Sequence, residues 1–279
     1  MKSNPELGTF VRKSAVSKAF LYFSYGILVL FTSLSIFIYF KLIVPVTEGA
    51  MNFSGDISIV YYSIVFIMGL ALLIFAIARY LSGGLTFYLY ENGIVTDKKG
   101  IMETLYFKEI QDVYLFTSGK RLFGVNNIAV RKNSTADWYP ISARYSGIFK
   151  VIEFIRSRHV AVYVPLLLKK LEEDQSVNFN FVDFKNLAMK QFTAINTNSY
   201  LNVSTKTMQV FKDRLVVESQ TIYFKEVLSF SVTDWTNQMQ LMNKDEKIVF
   251  KKAFTSVFSG DIFIALLDEL VNKNKFLNQ

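Results

Sequence analysis

Two long runs without a charged residue constrain this chain more than any other feature of its sequence. The first extends from Ala19 to Phe40 and the second from Ile57 to Ala78, each of 22 residues. A helix of that length is ~33 Å long, enough to cross the hydrocarbon core of a bilayer. We therefore predict two transmembrane helices, at about 19–44 and 57–80.

The charges that flank these runs predict an orientation. Four basic residues precede the first run against one acidic residue, whereas the connection from Lys41 to Asp56 holds one basic and two acidic residues. The positive-inside rule then places both termini in the cytoplasm of a bacterial cell, as a multi-pass inner-membrane protein. The open alternatives are an exported body and cleavage of the first run as a signal peptide, which its length and the lack of an A-x-A-like site disfavour.

The rest of the chain shows the two-residue period of β-strands. From Leu85 to Tyr90 apolar and polar side chains alternate, and Glu91-Asn92-Gly93 and Lys98-Lys99-Gly100 supply turns between further strands. A helical period follows from Ser146 to Arg158. A second helix is predicted from Val164 to Asp174, with Pro165 in its first turn.

A similar order of strands, turns and a helix returns in the last third of the chain. Tyr106-Phe107-Lys108-Glu109-Ile110 matches Tyr223-Phe224-Lys225-Glu226-Val227, and Ser146-Gly147 matches Ser259-Gly260 at the start of each final helix. Collinear matches of this kind predict two copies of one small β-domain. The predicted boundaries are 1–18 for a cytoplasmic N-terminal segment, 19–82 for the two spans, 83–160 for the first β-domain, and 161–279 for a connecting helix and the second.

With its two spans, its Tyr90-Glu91-Asn92-Gly93-Ile94 turn and its Tyr106-Phe107-Lys108-Glu109-Ile110 strand start, the chain resembles the bacterial pleckstrin-homology-like (PH-like) membrane proteins, an uncharacterised family. The resemblance covers roughly Leu85 to Lys273. It implies two tandem, partly open β-barrels, each closed by a C-terminal helix, in an α+β, mainly-β region after the transmembrane hairpin. It also implies a binding or scaffolding role at the inner face of the membrane. The first hairpin lacks the Lys-x(n)-Arg-x-Arg series of lipid-binding relatives, so phosphoinositide recognition is not expected.

The residue inventory excludes several kinds of catalytic site. The chain has no cysteine, and His159 is its single histidine, so thiolate chemistry and multi-histidine metal sites are excluded within one chain. Glu172-Glu173-Asp174 are consecutive helical positions that point in different directions and are expected to be a solvated helix end. We predict no catalytic residue, no metal site and no cofactor.

Positive charge is the feature of the body that indicates a binding role. Residues 79–279 hold 26 basic against 20 acidic side chains. Basic pairs fall at predicted loop tips, where they are candidates for contact with anionic lipid headgroups. Solvation of ordinary loop charges is the alternative, and the absence of a basic helix or zinc finger argues against nucleic acid. The lipid-facing candidates are Lys98, Lys99, Lys120, Arg121, Arg131 and Lys132.

The sequence thus predicts a non-enzymatic, membrane-anchored binding or scaffolding protein that contacts an unknown protein partner and anionic lipid. The uncharged spans offer small residues for packing, which permits a homo-oligomer without specifying one. One alternative is a membrane-bound enzyme that uses carboxylate and lysine chemistry. Another is an accessory subunit of a membrane transport complex, which the lack of ionisable residues inside the spans disfavours.

Overall fold

The structure, a computed structural model, describes residues 5–117, 125–182, 201, 203–233 and 236–276. The chain divides into two compact units, one formed by Ala15–Thr86 and the other by Met1–Ser14 together with Phe87–Gln279. Each unit has its own packing.

The first unit consists of two apolar helices that are long enough to cross a membrane. Helix α1 (Ala19–Ile38) continues through a π-helical segment (Tyr39–Ile43) and a last short helical stretch (Val44–Thr47). Helix α2 (Ser58–Leu81) packs against it. Most of their apolar side chains remain exposed, as expected of helices whose solvent is lipid rather than protein.

Helices α1 and α2 contact each other through small side chains and aromatic rings. Ala71 and Ala78 are fully buried, and Ser24 satisfies its hydroxyl by donating to the Leu21 carbonyl within its own helix at 2.7 Å. The rings of Tyr25 and Phe75 lie 5.0 Å apart. Small side chains let the helices approach, and aromatic contacts fill the space beside them.

The second unit is rich in antiparallel sheet. The described residues form two four-stranded and two three-stranded sheets, none of which closes into a barrel. The strands are β1 (Phe10–Ser14), β2 (Thr86–Tyr90), β3 (Gly93–Lys98), β4 (Ile101–Tyr106), β5 (Asp112–Phe116), β6 (Asn127–Arg131), β7 (Tyr139–Ile141), β8 (Val177–Val182), β9 (Thr205–Val210), β10 (Arg214–Val217), β11 (Gln220–Tyr223), β12 (Val227–Thr233), β13 (Gln238–Asn243) and β14 (Ile248–Ala253). The strand orders in the sheets are β1-β2-β3-β4, β5-β6-β7, β8-β9-β10-β11 and β12-β13-β14. Helix α3 (Ile148–Glu172) follows β7, and helix α4 (Gly260–Phe276) follows β14.

Strand β1 was not predicted from the sequence, which indicated only a cytoplasmic N-terminal segment over residues 1–18. It pairs antiparallel with β2, and Lys13 faces Tyr88 while Ser14 faces Phe87. Upstream of it, Leu7 is buried against Tyr90 and Val95. The chain therefore enters the first sheet before the two apolar helices and rejoins it directly after them.

Helix α3 is one continuous helix, whereas the sequence predicted two. Pro165 lies inside it rather than in a first turn, and the positive φ of Gly147 (66°) marks the start of the helix in place of a serine cap. Apolar side chains on both sides of Pro165 are buried, including Ile155 and Leu167. Packing of both halves against the sheets keeps the helix continuous through a residue that removes one backbone hydrogen bond.

The sheets form two series along the chain, β1–β7 and β8–β14. The two series of sheets pack against each other around β5, β6 and β8. Tyr114, Phe116, Ala129, Val182 and Phe258 are buried in one cluster with Leu201, and Trp138 and Val203 pack at its margin. Ser259 ties its segment to the edge of β5, because its amide donates to the Val113 carbonyl at 2.6 Å and its hydroxyl accepts from the Val113 amide at 3.0 Å. Aromatic packing and these bonds unite the two series in one unit.

Candidate functional site

The turn between β3 and β4 carries the first predicted basic pair, Lys98 and Lys99. Lys98 faces Ile101 in the strand register, and the two residues between them, Lys99 and Gly100, have φ angles of 54° and 91°. Two positive φ angles in a two-residue connection define the tight hairpin turn that suits twisted strands. The Gly100 amide donates to the Asp97 side chain at 2.8 Å, which stabilises the turn further.

This turn is unusually apolar as well as basic. Ile101 and Met102 are 77% and 61% exposed, more than any other large apolar side chain in the described part of the second unit. Neither Lys98 nor Lys99 forms an ion pair within the described residues. The two lysines were predicted from the sequence and their two apolar neighbours were not, although a Lys-Lys-Gly turn followed directly by Ile-Met was the signal available.

Arg131, another predicted lipid-facing residue, is largely enclosed. Its Nε donates to Asp112 at 2.7 Å, its Nη1 donates to the Ser134 carbonyl at 2.9 Å, and its guanidinium lies 4.3 Å from the Trp138 ring centre. Burial raises the pKa of Asp112, and the charge of Arg131 opposes that shift. Arg131 therefore serves as the counter-ion of a buried carboxylate, and we leave it out of the proposed lipid contact.

Of the three remaining basic candidates, the structure describes one. Lys132 is partly exposed, and its Nζ lies 3.5 Å from the Glu109 carboxylate. Lys120 and Arg121 lie outside the described residues. Lipid contact by the whole set stays a prediction. Among the described candidates, Lys98 and Lys99 are neighbours at the end of β3, and Arg131 and Lys132 are neighbours at the end of β6.

A second charged contact joins the two helices of the sheet-rich unit. Arg156 on α3 donates through two nitrogens to the Asp261 carboxylate on α4, at 2.7 and 2.6 Å. This bidentate pair raises the pKa of Arg156. Both residues are partly exposed, so the pair orients the helices more than it stabilises them.

His159 is buried on α3 and behaves as a structural residue. Its Nε2 lies 2.7 Å from the Ile110 carbonyl, so the Nε2–H of the neutral ring donates a hydrogen bond to that oxygen. Burial lowers the pKa of His159 to about 4. The ring of Tyr163 lies 5.2 Å away. A neutral, buried histidine with one fixed hydrogen bond serves a structural role.

Two cavities lie among the described residues of the sheet-rich unit. One of about 190 Å³ lies between the last turns of α3 and α4 and the β9–β10 turn, and is lined partly by Leu168, Leu171 and Lys273. A second, of about 330 Å³, lies beside Arg156 and Phe254. In the part of the chain that the structure describes, no three His, Asp or Glu side chains converge as metal ligands would.

Comparison with known proteins identifies a family without giving an activity. A family model described as "Family of unknown function (DUF6585)" matches residues 1–192, more than half of the chain, and the chain therefore belongs to this family. The match includes both apolar helices and the first series of sheets through α3. A search of curated proteins found no match.

Proposed function

We propose that this member of the DUF6585 family is a non-enzymatic binding or scaffolding protein of the bacterial inner membrane. Helices α1 and α2 cross the bilayer as a hairpin, and the sheet-rich unit stands in the cytoplasm, where it contacts a protein partner and anionic lipid. The apolar length of both helices and their exposed side chains support membrane insertion.

The pairing of β1 with β2 is the observation that carries this proposal. Strand β1 ends at Ser14, before α1, and β2 begins at Thr86, after α2. Because the two strands are hydrogen-bonded neighbours, the chain has to return to the side from which it left. Two crossings meet that requirement, and the basic residues before α1 favour the cytoplasm as that side.

A tandem PH-like architecture is supported by recurring details in the sheet-rich unit. Each four-stranded sheet ends in a short 3₁₀ helix, Phe107–Glu109 or Phe224–Glu226, whose phenylalanine is buried. The amide of Phe107 donates to the Asn92 carbonyl at 3.0 Å, and the amide of Phe224 donates to the Asp213 carbonyl at 2.9 Å. Both acceptors lie in the turn before the third strand of their sheet, β3 or β10. We therefore propose an N-terminal module at 83–160, completed by β1, and a C-terminal module at 161–279.

Binding through sheet edges follows from the topology. Strands β4 and β11 are each one of the two outer strands of a four-stranded sheet, and neither sheet closes within the described residues. An outer strand offers backbone donors and acceptors to an added strand from another protein. The carboxylate with a raised pKa, Asp112, is already matched to Arg131, so its environment serves packing rather than general acid chemistry.

Site-specific photo-crosslinking of the full chain in cells tests the proposed binding. A photoreactive residue replaces Thr104 on β4 or Thr221 on β11, and a matched control replaces Lys169 on the exposed face of α3. We expect a discrete protein adduct from at least one edge position and none from Lys169. A chain that is membrane-integrated and yet gives the same pattern at all three positions would contradict binding through the sheet edges.

A further inference from the structure

The antiparallel order of the first sheet places the β3–β4 turn at a defined end. Strand β1 runs toward Ser14, and β2 starts beside it at Thr86. Strand β3 runs back alongside β2 after a two-residue connection, so its last residue, Lys98, lies at the end where β2 began. The turn therefore shares one end of the sheet with the residues through which the chain leaves for the apolar helices and returns from them.

The lengths of the strands bring the turn level with these connections. Thr86 lies four residues before the end of β2, and Lys98 lies five residues after the start of β3. At ~3.3 Å per residue the turn reaches about one residue beyond Thr86. Only four residues, Ser82–Leu85, separate α2 from β2. This end of the sheet is thus joined to the apolar helices by short segments.

We infer that the β3–β4 turn is a membrane wedge, in which Ile101 and Met102 enter the headgroup region of an anionic bilayer beside Lys98 and Lys99. The inference rests on the proposed function, because it requires that α1 and α2 cross that same bilayer. Two exposed apolar side chains gain by leaving water at the lipid interface. The adjacent ammonium groups remain at the level of the anionic headgroups, where their charge is attractive.

The composition of the turn favours lipid over a second copy of the chain. A two-fold contact through Ile101 and Met102 would bring the Lys98-Lys99 pairs of both copies together, and like charges at close range are repulsive. The narrow turn also offers two apolar side chains rather than an extended face. An anionic lipid surface is complementary in charge and needs no matching shape.

Fluorescence from a single labelled cysteine in the full chain tests the wedge. The chain has no native cysteine, so Ile101→Cys introduces the sole site for an environment-sensitive thiol label. Lys108→Cys is the matched control, because it is exposed and lies just beyond the opposite end of β4. Each labelled protein is reconstituted into vesicles of phosphatidylcholine with or without phosphatidylglycerol, and doxyl-labelled lipid serves as the quencher.

We expect a blue shift and lipid-dependent loss of fluorescence for the label at residue 101, both larger in the anionic vesicles, and neither for the label at residue 108. Adding Lys98→Gln and Lys99→Gln should reduce the signal in anionic vesicles to that in neutral ones. Equal quenching at both positions would overturn the wedge, as would a blue shift that is the same in detergent as in vesicles. Release of the chain by alkaline carbonate would instead overturn the proposed function, so the two failures are distinguishable.

Discussion

At the scale of single residues, the pair of Asp112 and Arg131 is a buried ion pair in the sheet-rich unit. Its carboxylate is nearly enclosed, and its partner is held between Trp138 and the Ser134 carbonyl. Removal of one member of a buried pair leaves the other charge without compensation. The pair therefore restricts which residues can occupy this position far more than it adds to net stability.

Replacement of Asp112 by alanine should lower the free energy of unfolding by about 3 kcal/mol, because Arg131 would remain buried without a counter-ion. Glu109→Ala is the matched control, since it breaks the exposed contact with Lys132 and should cost under about 1 kcal/mol. Thermal unfolding of the full chain in mild detergent measures both. Equal effects of the two substitutions would show that the Asp112–Arg131 pair is not effectively buried.

His159 makes the stability of the unit depend on pH in a specific window. Its pKa is about 4 in the folded chain and ~6.5 when unfolded, so the unfolded state binds more protons between these values. The stabilisation from a neutral, buried His159 is complete above about pH 6.5 and is lost as the pH falls toward 4. Between pH 7 and pH 5 the loss is about 2 kcal/mol.

His159→Gln should remove this component, since an uncharged amide does not titrate and its nitrogen can still donate to the Ile110 carbonyl. We expect wild type to lose about 2 kcal/mol more than the variant between pH 7 and pH 5. Unfolding midpoints at the two pH values provide the comparison. Parallel loss in the two proteins would assign the pH dependence to carboxylates instead of to His159.

Residue-scale prediction from sequence succeeded where the local pattern decides and failed where distant partners decide. The Lys98-Lys99-Gly100 turn could be predicted from the sequence because a glycine between two short apolar segments favours a tight turn. The enclosure of Arg131 was not readable, since Asp112 lies 19 positions away and Phe258, which packs nearby, lies 127 positions away. The exposure of Ile101 and Met102 depends on what the folded sheets leave uncovered.

At the scale of elements, the same reasoning explains the missed strand and the merged helix. Strand β1 is five residues long with two adjacent basic residues, so its sequence carries little strand signal, and pairing with β2 decides its conformation. In α3 the sequence signal from Pro165 was correct as a local preference. Burial of Ile155 before it and Leu167 after it overrides that preference.

Pro165→Ala should raise the free energy of unfolding by about 2 kcal/mol, because it restores a backbone hydrogen bond inside α3 and its side chain is exposed. Lys169→Ala, at an exposed position one turn later, should change the stability by less than ~0.5 kcal/mol. Circular dichroism during thermal unfolding reports both. A loss of stability in the proline variant would indicate that the helix requires the altered geometry at this position.

Elements also explain why the two proposed modules pack as they do. Asp112, Tyr114 and Phe116 alternate along β5 and are buried, and the Tyr114 ring lies 4.8 Å from that of Phe258. The corresponding residues of β12, aligned through the repeated Phe-Lys-Glu segment, are Ser229, Ser231 and Thr233. On β5 the aromatic side chains form the contact with the other module, whereas the polar side chains of β12 suit contact with solvent.

At the scale of the whole molecule, the β1–β2 pairing and the charge asymmetry make separate statements about topology. For helices that cross a membrane as we propose, the pairing requires Lys13 and the residues after α2 to lie on one side of it, whichever side that is. The asymmetry favours the cytoplasm as that side. The sequence supplied the second statement alone, because a strand pair that brackets 71 intervening residues cannot be recognised from local patterns.

Single cysteines labelled with a membrane-impermeant maleimide separate these two statements. Ser54→Cys lies in the connection between the helices, Lys225→Cys lies in an exposed 3₁₀ turn, and Lys13→Cys lies in β1. In intact spheroplasts we expect label at residue 54, and label at residues 13 and 225 only after permeabilisation. The reverse pattern would invert the orientation and leave the hairpin intact. Label at residues 13 and 54 together, with residue 225 protected, would mean a single crossing, which the β1–β2 pairing does not allow.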